Sequence, residues 1–434
     1  MKNIMNIDLS WLLEWSFKDR NNVLLAHKIH RYPAMFIPEL AEKIILAFSK
    51  ENDVVLDMFS GSGTTILEAR KLRRQAKGIE INPLAILISK VKNTYIDELL
   101  LEKSICYWQS IFLKNSFSEH QIKNKDFWFH KITNNSINDA VGAINFIEDI
   151  DVQDFLKICI SEIIREISYC VHSGFKIHKD RKKEEKGLSF NKLEFLDKIR
   201  PIIERNKKAI QELKKIDNKN YPFNIYFQDS REKSTFIEDN SVDLILTSPP
   251  YGDSRTTVAY GQFSAFSSEL FGLKNLYNKP IRNLDNYLLG GQTKNIDIYE
   301  LNEKSITIKN IQELFLSRIL LSQDNKEKKK ISDRLKDILA FYNDLDKSIS
   351  NGYDYLKKEG FFVLVTSSRV VHNTKLHTDN IIAELANNYG LKLKNIYYRD
   401  ILNKRMPRKV SATNIKGETT TTMTQESIIV LQKT

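Results

Sequence analysis

Asp53-Val54-Val55-Leu56-Asp57-Met58-Phe59-Ser60-Gly61-Ser62-Gly63-Thr64-Thr65, continued by Ile66-Leu67-Glu68-Ala69-Arg70, reads as a short buried strand, a glycine loop and a helix. An unbroken aliphatic run suits a strand covered on both faces. The glycines allow the backbone close to a ligand, and the helix behind them offers free N–H groups and a positive dipole end. A carboxylate or a phosphate fits such a loop, and so does a plain strand-to-helix turn that binds nothing. The loop lacks the Gly-Lys-Ser/Thr of a Walker A motif and is not a Gly-x-Gly-x-x-Gly. Its sequel favours a ligand. Ala76-Lys77-Gly78-Ile79-Glu80-Ile81-Asn82 reads as the next strand, and Glu80, 19 positions after Gly61, is placed at its tip to take a ribose diol.

Working outward, Glu39 to Leu46 reads as a helix with Pro38 in its first turn, where a missing N–H costs nothing. It follows His30-Arg31-Tyr32-Pro33-Ala34-Met35-Phe36-Ile37, which alone is an ordinary lead-in. Beyond residue 95 the strand pattern gives way to amphipathic helices. Val152, Phe155, Leu156, Cys159, Ile160, Ile163, Ile164 and Ile167 recur at helical spacing, a core stripe expected to run to Ser173-Gly174. The basic run Phe175 to Lys183 could meet phosphates or be a solvated face. Strands return at Asn224 to Ser230, closing on Asp229, at Val242 to Leu246, at Gly360 to Thr366 and at Ser427 to Leu431, with a helix over Asp379 to Ala386.

Alternating strands and helices predict an α/β fold, a doubly wound and mostly parallel sheet, with ligands at the carboxyl ends of its strands. Asp57, Glu80, Asp229 and Ser248 all fall there. The expected division is residues 1–94 and 223–251 as the cofactor-binding and catalytic parts of a core completed by 351–434. A helical insertion occupies 95–222 and an irregular one 252–350, the latter a candidate target-recognition region.

The chain has 434 residues, with Lys plus Arg 66 against Asp plus Glu 55 and a net charge of +11. That surplus favours a polyanionic partner, nucleic acid before membrane. No apolar run reaches the roughly 18 residues of a spanning helix and the N-terminus lacks a signal pattern, so a soluble, cytoplasmic protein is expected. Cys106, Cys159 and Cys170 have no metal or disulfide spacing and are expected in packing. No metal site is expected.

Thr247-Ser248-Pro249-Pro250-Tyr251 ends the 242–246 strand. Two prolines cannot continue a ladder, and they hold the carbonyls of Ser248 and Pro249 stiffly beside an aromatic ring. An ordinary tight turn would look the same, but a rigid acceptor cluster next to an aromatic face also suits a flat ring bearing an amino group.

Together these blocks resemble the amino-group DNA methyltransferases of bacterial restriction-modification systems. The resemblance implies a seven-stranded Rossmann-like sheet and S-adenosylmethionine as cofactor. Phe59, Gly61 and Gly63 look like the family's Phe-x-Gly-x-Gly motif, Glu80 like its ribose-binding acid and Asp229 like its adenine-side acid. Tyr32, Pro33 and Phe36 lie in a segment similar to the one that closes over the methionine part of the cofactor, and Asp57 and Thr64 flank the glycine loop. Ser248, Pro249, Pro250 and Tyr251 take the catalytic position. The serine form is the one associated with cytosine-N(4) enzymes, and Arg405-Met406-Pro407 and the threonines before the last strand look like the same group. Methyl transfer to a flipped cytosine amino group in double-stranded DNA is therefore expected, by a monomer serving beside a cognate restriction endonuclease. Adenine-N(6) transfer remains the nearest alternative, followed by an RNA or protein-glutamine acceptor and by a non-catalytic DNA-binding module. Carbon-5 transfer is disfavoured, because it needs a cysteine nucleophile and no Pro-Cys pair exists.

Overall fold

The structure is a computed structural model describing residues 23–118, 121–171, 174–216, 221–252, 257–293, 296–400, 409–410, 420–421 and 425–434. Arg405-Met406-Pro407 and most of the threonine-rich stretch lie outside the described residues. Seven strands form one sheet: β1 (Val54–Asp57), β2 (Gln75–Glu80), β3 (Phe223–Phe227), β4 (Val242–Thr247), β5 (Leu356–Thr366), β6 (Leu391–Asp400) and β7 (Gln425–Lys433). Their spatial order is β3-β2-β1-β4-β5-β7-β6. Neighbours from β3 to β5 pair in parallel, whereas β7 runs antiparallel between β5 and β6. The chain steps outward one way from β1 and the other way from β4, so the topological switch point lies between these two strands. Ligands of such sheets bind outside the carboxyl ends at that point.

Period-two alternation gives each face of the sheet its own apolar layer. Val55, Leu244, Val363 and Ile428 pack with α1 (Pro38–Phe48) and α2 (Thr64–Lys71). On the opposite face, Leu56, Ile245, Phe362 and Ile429 pack under a long helix, Asn325–Tyr355, and under Thr378–Asn387. Both proline and glycine signals hold at α1 and α2: Pro38 stands in the first turn of α1, and Gly63 caps α2 at φ 78°.

A third apolar cluster joins α3 (Pro83–Asn93) and the residues Ala26, Ile29 and Tyr32 to α4 (Glu98–Lys114), α5 (Lys131–Ile144), α6 (Ile150–Ile163) and α7 (Lys192–Glu212). Helix α6 stops at Ile163, short of Ser173-Gly174. Beyond it the Ser168 hydroxyl donates to the Arg165 carbonyl and accepts from the Cys170 amide, local bonds that compete with a helical ladder. Cys159 and Cys170 are buried, but Cys106 is exposed, on the outer face of a helix whose inward residues are Leu101, Ile105, Trp108 and Phe112.

The segment expected to be irregular after residue 252 is largely helical, with α8 (Tyr260–Leu270), α9 (Ile306–Leu321) and the 31-residue α10 (Asn325–Tyr355). Ile331, Leu335, Ile338, Tyr342, Leu345 and Ile349 are the buried stripe of α10. The lysines of its first turns, behind the Asp324 N-cap, hide its start in the sequence. Among the described residues no helix is long and apolar enough to cross a membrane.

Candidate active site

The switch point is tied by a short polar chain. The Thr247 hydroxyl at the end of β4 donates to Asp57 Oδ1 at the end of β1 (2.7 Å), and the Phe59 amide donates to the same carboxylate oxygen (3.1 Å). Burial pushes the Asp57 carboxyl up, opposed by its hydrogen bonds from Thr247 and the Phe59 amide. The glycine loop starts from this anchor. Gly61 and Gly63 both adopt positive φ, 48° and 78°. A Cβ at Gly63 would stand 1.9 Å from Ser89 Oγ, so only glycine lets α2 pack against α3 there.

Glu80 holds the loop from the side. Its Oε2 accepts from the Gly61 amide (2.7 Å), and Oε1 accepts from the amides of Ile81 (3.0 Å) and Asn82 (2.8 Å). A carboxylate has about four lone-pair sites, so one remains for a ligand hydroxyl. Burial nevertheless lifts this carboxyl to about 7.

Loop, strand tips and the 32–36 segment enclose a cleft of about 880 Å³, open to solvent. Of the residues expected to bind cofactor, Tyr32, Pro33, Phe36, Asp57, Phe59, Gly61, Thr64, Glu80 and Asp229 line it, and Gly63 stands behind the loop. Ser248 and Pro250 line its far wall. The lining does not include Pro249 or Tyr251. Instead the Tyr251 hydroxyl donates to Glu426 Oε1 at the start of β7 (2.9 Å), and Ser248 Oγ donates to the Val365 carbonyl (2.9 Å).

Asp229 lies in the cleft but is already engaged. Arg231 donates to it through Nε (2.9 Å) and Nη2 (2.5 Å), and the Tyr277 hydroxyl adds a third bond (2.6 Å). Burial would raise the Asp229 carboxyl, but the Arg231 guanidinium outweighs it and holds the group below the usual carboxylate range. Arg231 also reaches Asp344 of α10 (2.9 Å) and the Tyr287 carbonyl (2.7 Å). The sequence reading missed Arg231, two residues from an acid it had singled out.

It also missed Tyr260 and Asn82. Tyr260 opens α8 and stacks on Tyr32 with ring centroids 6.0 Å apart. Tyr260, Phe263, Ser267 and Leu270 fall at helical spacing, the signal that could have found α8. Asn82 caps α3 and donates to both the Tyr32 hydroxyl (2.9 Å) and Ser264 Oγ (2.8 Å), fixing the lead-in segment over the cleft. Of the basic run, Lys179 binds Glu184 (2.6 Å) and Lys183 donates to the Cys170 carbonyl (2.8 Å), both local structural contacts. Lys176, Arg181 and Lys182 stay exposed.

The cleft suits an adenosyl group joined to an amino acid. It has an apolar wall from Phe59, Ile79, Ile81, Leu288 and Leu289, a carboxylate with a free acceptor site, and a glycine backbone at a helix N-terminus.

Comparison with known proteins agrees. The family model described as DNA methylase, of the N6/N4 type, matches residues 3–91. The Type II methyltransferase M.MvaI of Kocuria varians is 34% identical over 433 residues, covering 96% of this chain and 93% of that protein. M.AvaI of Nostoc is 22% identical across 84% of this chain and 79% of its own length. M.MjaII of Methanocaldococcus jannaschii is 25% identical over 40% of this chain and 32% of its own. With the parallel sheet, the glycine loop and the Ser-Pro-Pro-Tyr strand end meeting at one cleft, the chain belongs to the Type II DNA methyltransferases of the N6/N4 amino-methyltransferase family, whose cofactor is S-adenosylmethionine.

Proposed function

We propose that the chain methylates the exocyclic N4 of cytosine in duplex DNA, as the protective member of a restriction-modification system. The serine form of the motif favours cytosine, and the observation that supports an amino-group acceptor there is the hydrogen bond from Ser248 Oγ to the Val365 carbonyl at 2.9 Å. It engages the hydroxyl hydrogen and leaves the oxygen as an acceptor, which is what an incoming amino N–H needs.

Bound S-adenosylmethionine supplies an electrophilic methyl group on a sulfonium. Phe59, Gly61 and Glu80 would hold its nucleoside part, and Tyr32 to Phe36 its methionine part. An amino group conjugated to a pyrimidine is a weak nucleophile, because its lone pair is delocalised. Acceptors at Ser248 Oγ and the Pro249 carbonyl draw on its two hydrogens, favour a pyramidal nitrogen and aim the lone pair into the cleft. The prolines make both acceptors rigid before the base arrives, so positioning supplies most of the acceleration. Tyr251 stacks on the extruded ring and offsets part of the few kcal/mol that unstacking costs.

The test is nucleoside analysis of DNA from cells expressing the chain, repeated with Ser248→Ala. N4-methylcytosine is expected, with a loss of roughly 100-fold in methyl transfer for the variant. N6-methyladenine as the only product would replace cytosine by adenine at the same site, and undiminished transfer by Ser248→Ala would remove Ser248 from the mechanism.

A further inference from the structure

Tyr251 is anchored from a direction its own loop does not supply. Its hydroxyl donates to Glu426 Oε1 at 2.9 Å, and Glu426 Oε2 accepts from Arg399 Nε (2.6 Å) and lies 2.5 Å from Arg399 Nη2. Glu426 and Arg399 are register partners on the antiparallel pair β7–β6, facing each other across the ladder. The preceding residue, Gln425, is tied to the end of β5 by the Ser367 hydroxyl, which donates to the Gln425 carbonyl at 2.6 Å. Arg399 is buried, and Glu426 keeps only 12% of its side-chain exposure. Three strands that hold no cleft residue of their own thus converge on one phenol.

A phenolic O–H prefers the plane of its ring, so an acceptor fixed in space sets both the long axis of the ring and the tilt of its face. Burial and the Glu426 carboxylate push the Tyr251 phenol well above its ordinary value, so it stays a donor across the working pH range. A stacking platform that must receive an extruded base gains most when its plane is set beforehand. We propose that Glu426, braced by Arg399, is a positioning residue that presets the Tyr251 ring for the flipped base. This rests on the reading of Tyr251 as the stacking ring.

The test is single-turnover transfer of labelled methyl from S-adenosylmethionine to plasmid DNA, with S-adenosylhomocysteine affinity measured alongside. Glu426→Ala and Tyr251→Phe are each expected to slow transfer by roughly 10- to 100-fold. The double variant is expected to be no slower than either alone, because both remove one interaction. Glu426→Gln, which keeps an acceptor oxygen, restores most of the rate, and cofactor affinity stays as in the unaltered chain. Unchanged transfer by Glu426→Ala, a double variant slowed by the product of the two single effects, or a matching loss of cofactor affinity would each overturn the proposal. Tyr251→Ala separates the two readings: unchanged transfer there removes the stacking role itself, whereas a slow Tyr251→Ala beside a normal Glu426→Ala removes only the positioning role.

Discussion

Glu80 is pulled in two directions. Burial favours its neutral form strongly enough to place the carboxyl near 7, while three backbone amides favour the charged one. A carboxyl raised above its ordinary value contributes stability that is complete below about pH 4.5 and lost as the pH rises through 7. Cofactor binding has the opposite sign, because a ribose hydroxyl donates best to the ionised group. The affinity for S-adenosylhomocysteine is therefore expected to strengthen between pH 6 and 8, by up to roughly tenfold if only the ionised form is competent. Calorimetric titration at several pH values measures it. Glu80→Gln is expected to bind more weakly and to lose this pH dependence; a variant that keeps the same slope assigns the titration to another group.

Among the elements, the strand β3, the loop before α9 and the helix α10 meet at Arg231. Asp229 and Asp344 are both buried, and one guanidinium bridges them, offsetting part of their joint charge. Removing it leaves two uncompensated carboxylates, so Arg231→Met is expected to destabilise the chain by about 3–5 kcal/mol. Asp344→Asn, which leaves the Asp229 pair intact, is expected to cost less, and denaturant melts of the two variants compare them. This junction also marks where sequence reading ends. The strands β1 to β5 and the loop at Gly61 are legible because aliphatic runs, glycines and prolines act locally on the backbone. The strand β6 is not: Lys392, Lys394 and Asn395 interrupt its apolar pattern, as suits an edge strand whose charges discourage pairing with other chains. Asp229 was identifiable as a strand-end acid, but its bond from Tyr277, 48 positions away, and the turn that folds Arg231 back onto it are fixed only by tertiary packing. Similarly Tyr251 was legible as a motif residue, whereas its partner Glu426 lies 175 positions on.

At the scale of the whole molecule, the helices from α4 to α7 and the cofactor cleft share one apolar cluster. Phe155, Leu156 and Ile160 of α6 belong to the same core as Ile88 of α3 and as Tyr32, whose ring walls the cleft. Polar bonds add to this union. His30 Nε2 bonds Ser161 Oγ at 2.9 Å, the Arg31 amide donates to Glu162 at 2.8 Å, and Arg205 of α7 donates to the Ile29 carbonyl at 2.9 Å. Burial forces His30 down to about 3, so it stays neutral at this contact. The helical block and the cleft wall are thus expected to melt as one cooperative unit. Phe155→Ala, at a position with no exposed surface, is expected to cost about 3–5 kcal/mol and to weaken cofactor binding, although Phe155 does not line the cleft. Fluorescence of Trp108 and Trp128, read in a chain whose Trp11 and Trp15 are replaced by Phe, reports the block, and retention of S-adenosylhomocysteine reports the cleft. Coincident midpoints for the two probes, shifted together by the substitution, are the expected result; a fluorescence transition that precedes loss of binding would make the block an independently folding unit.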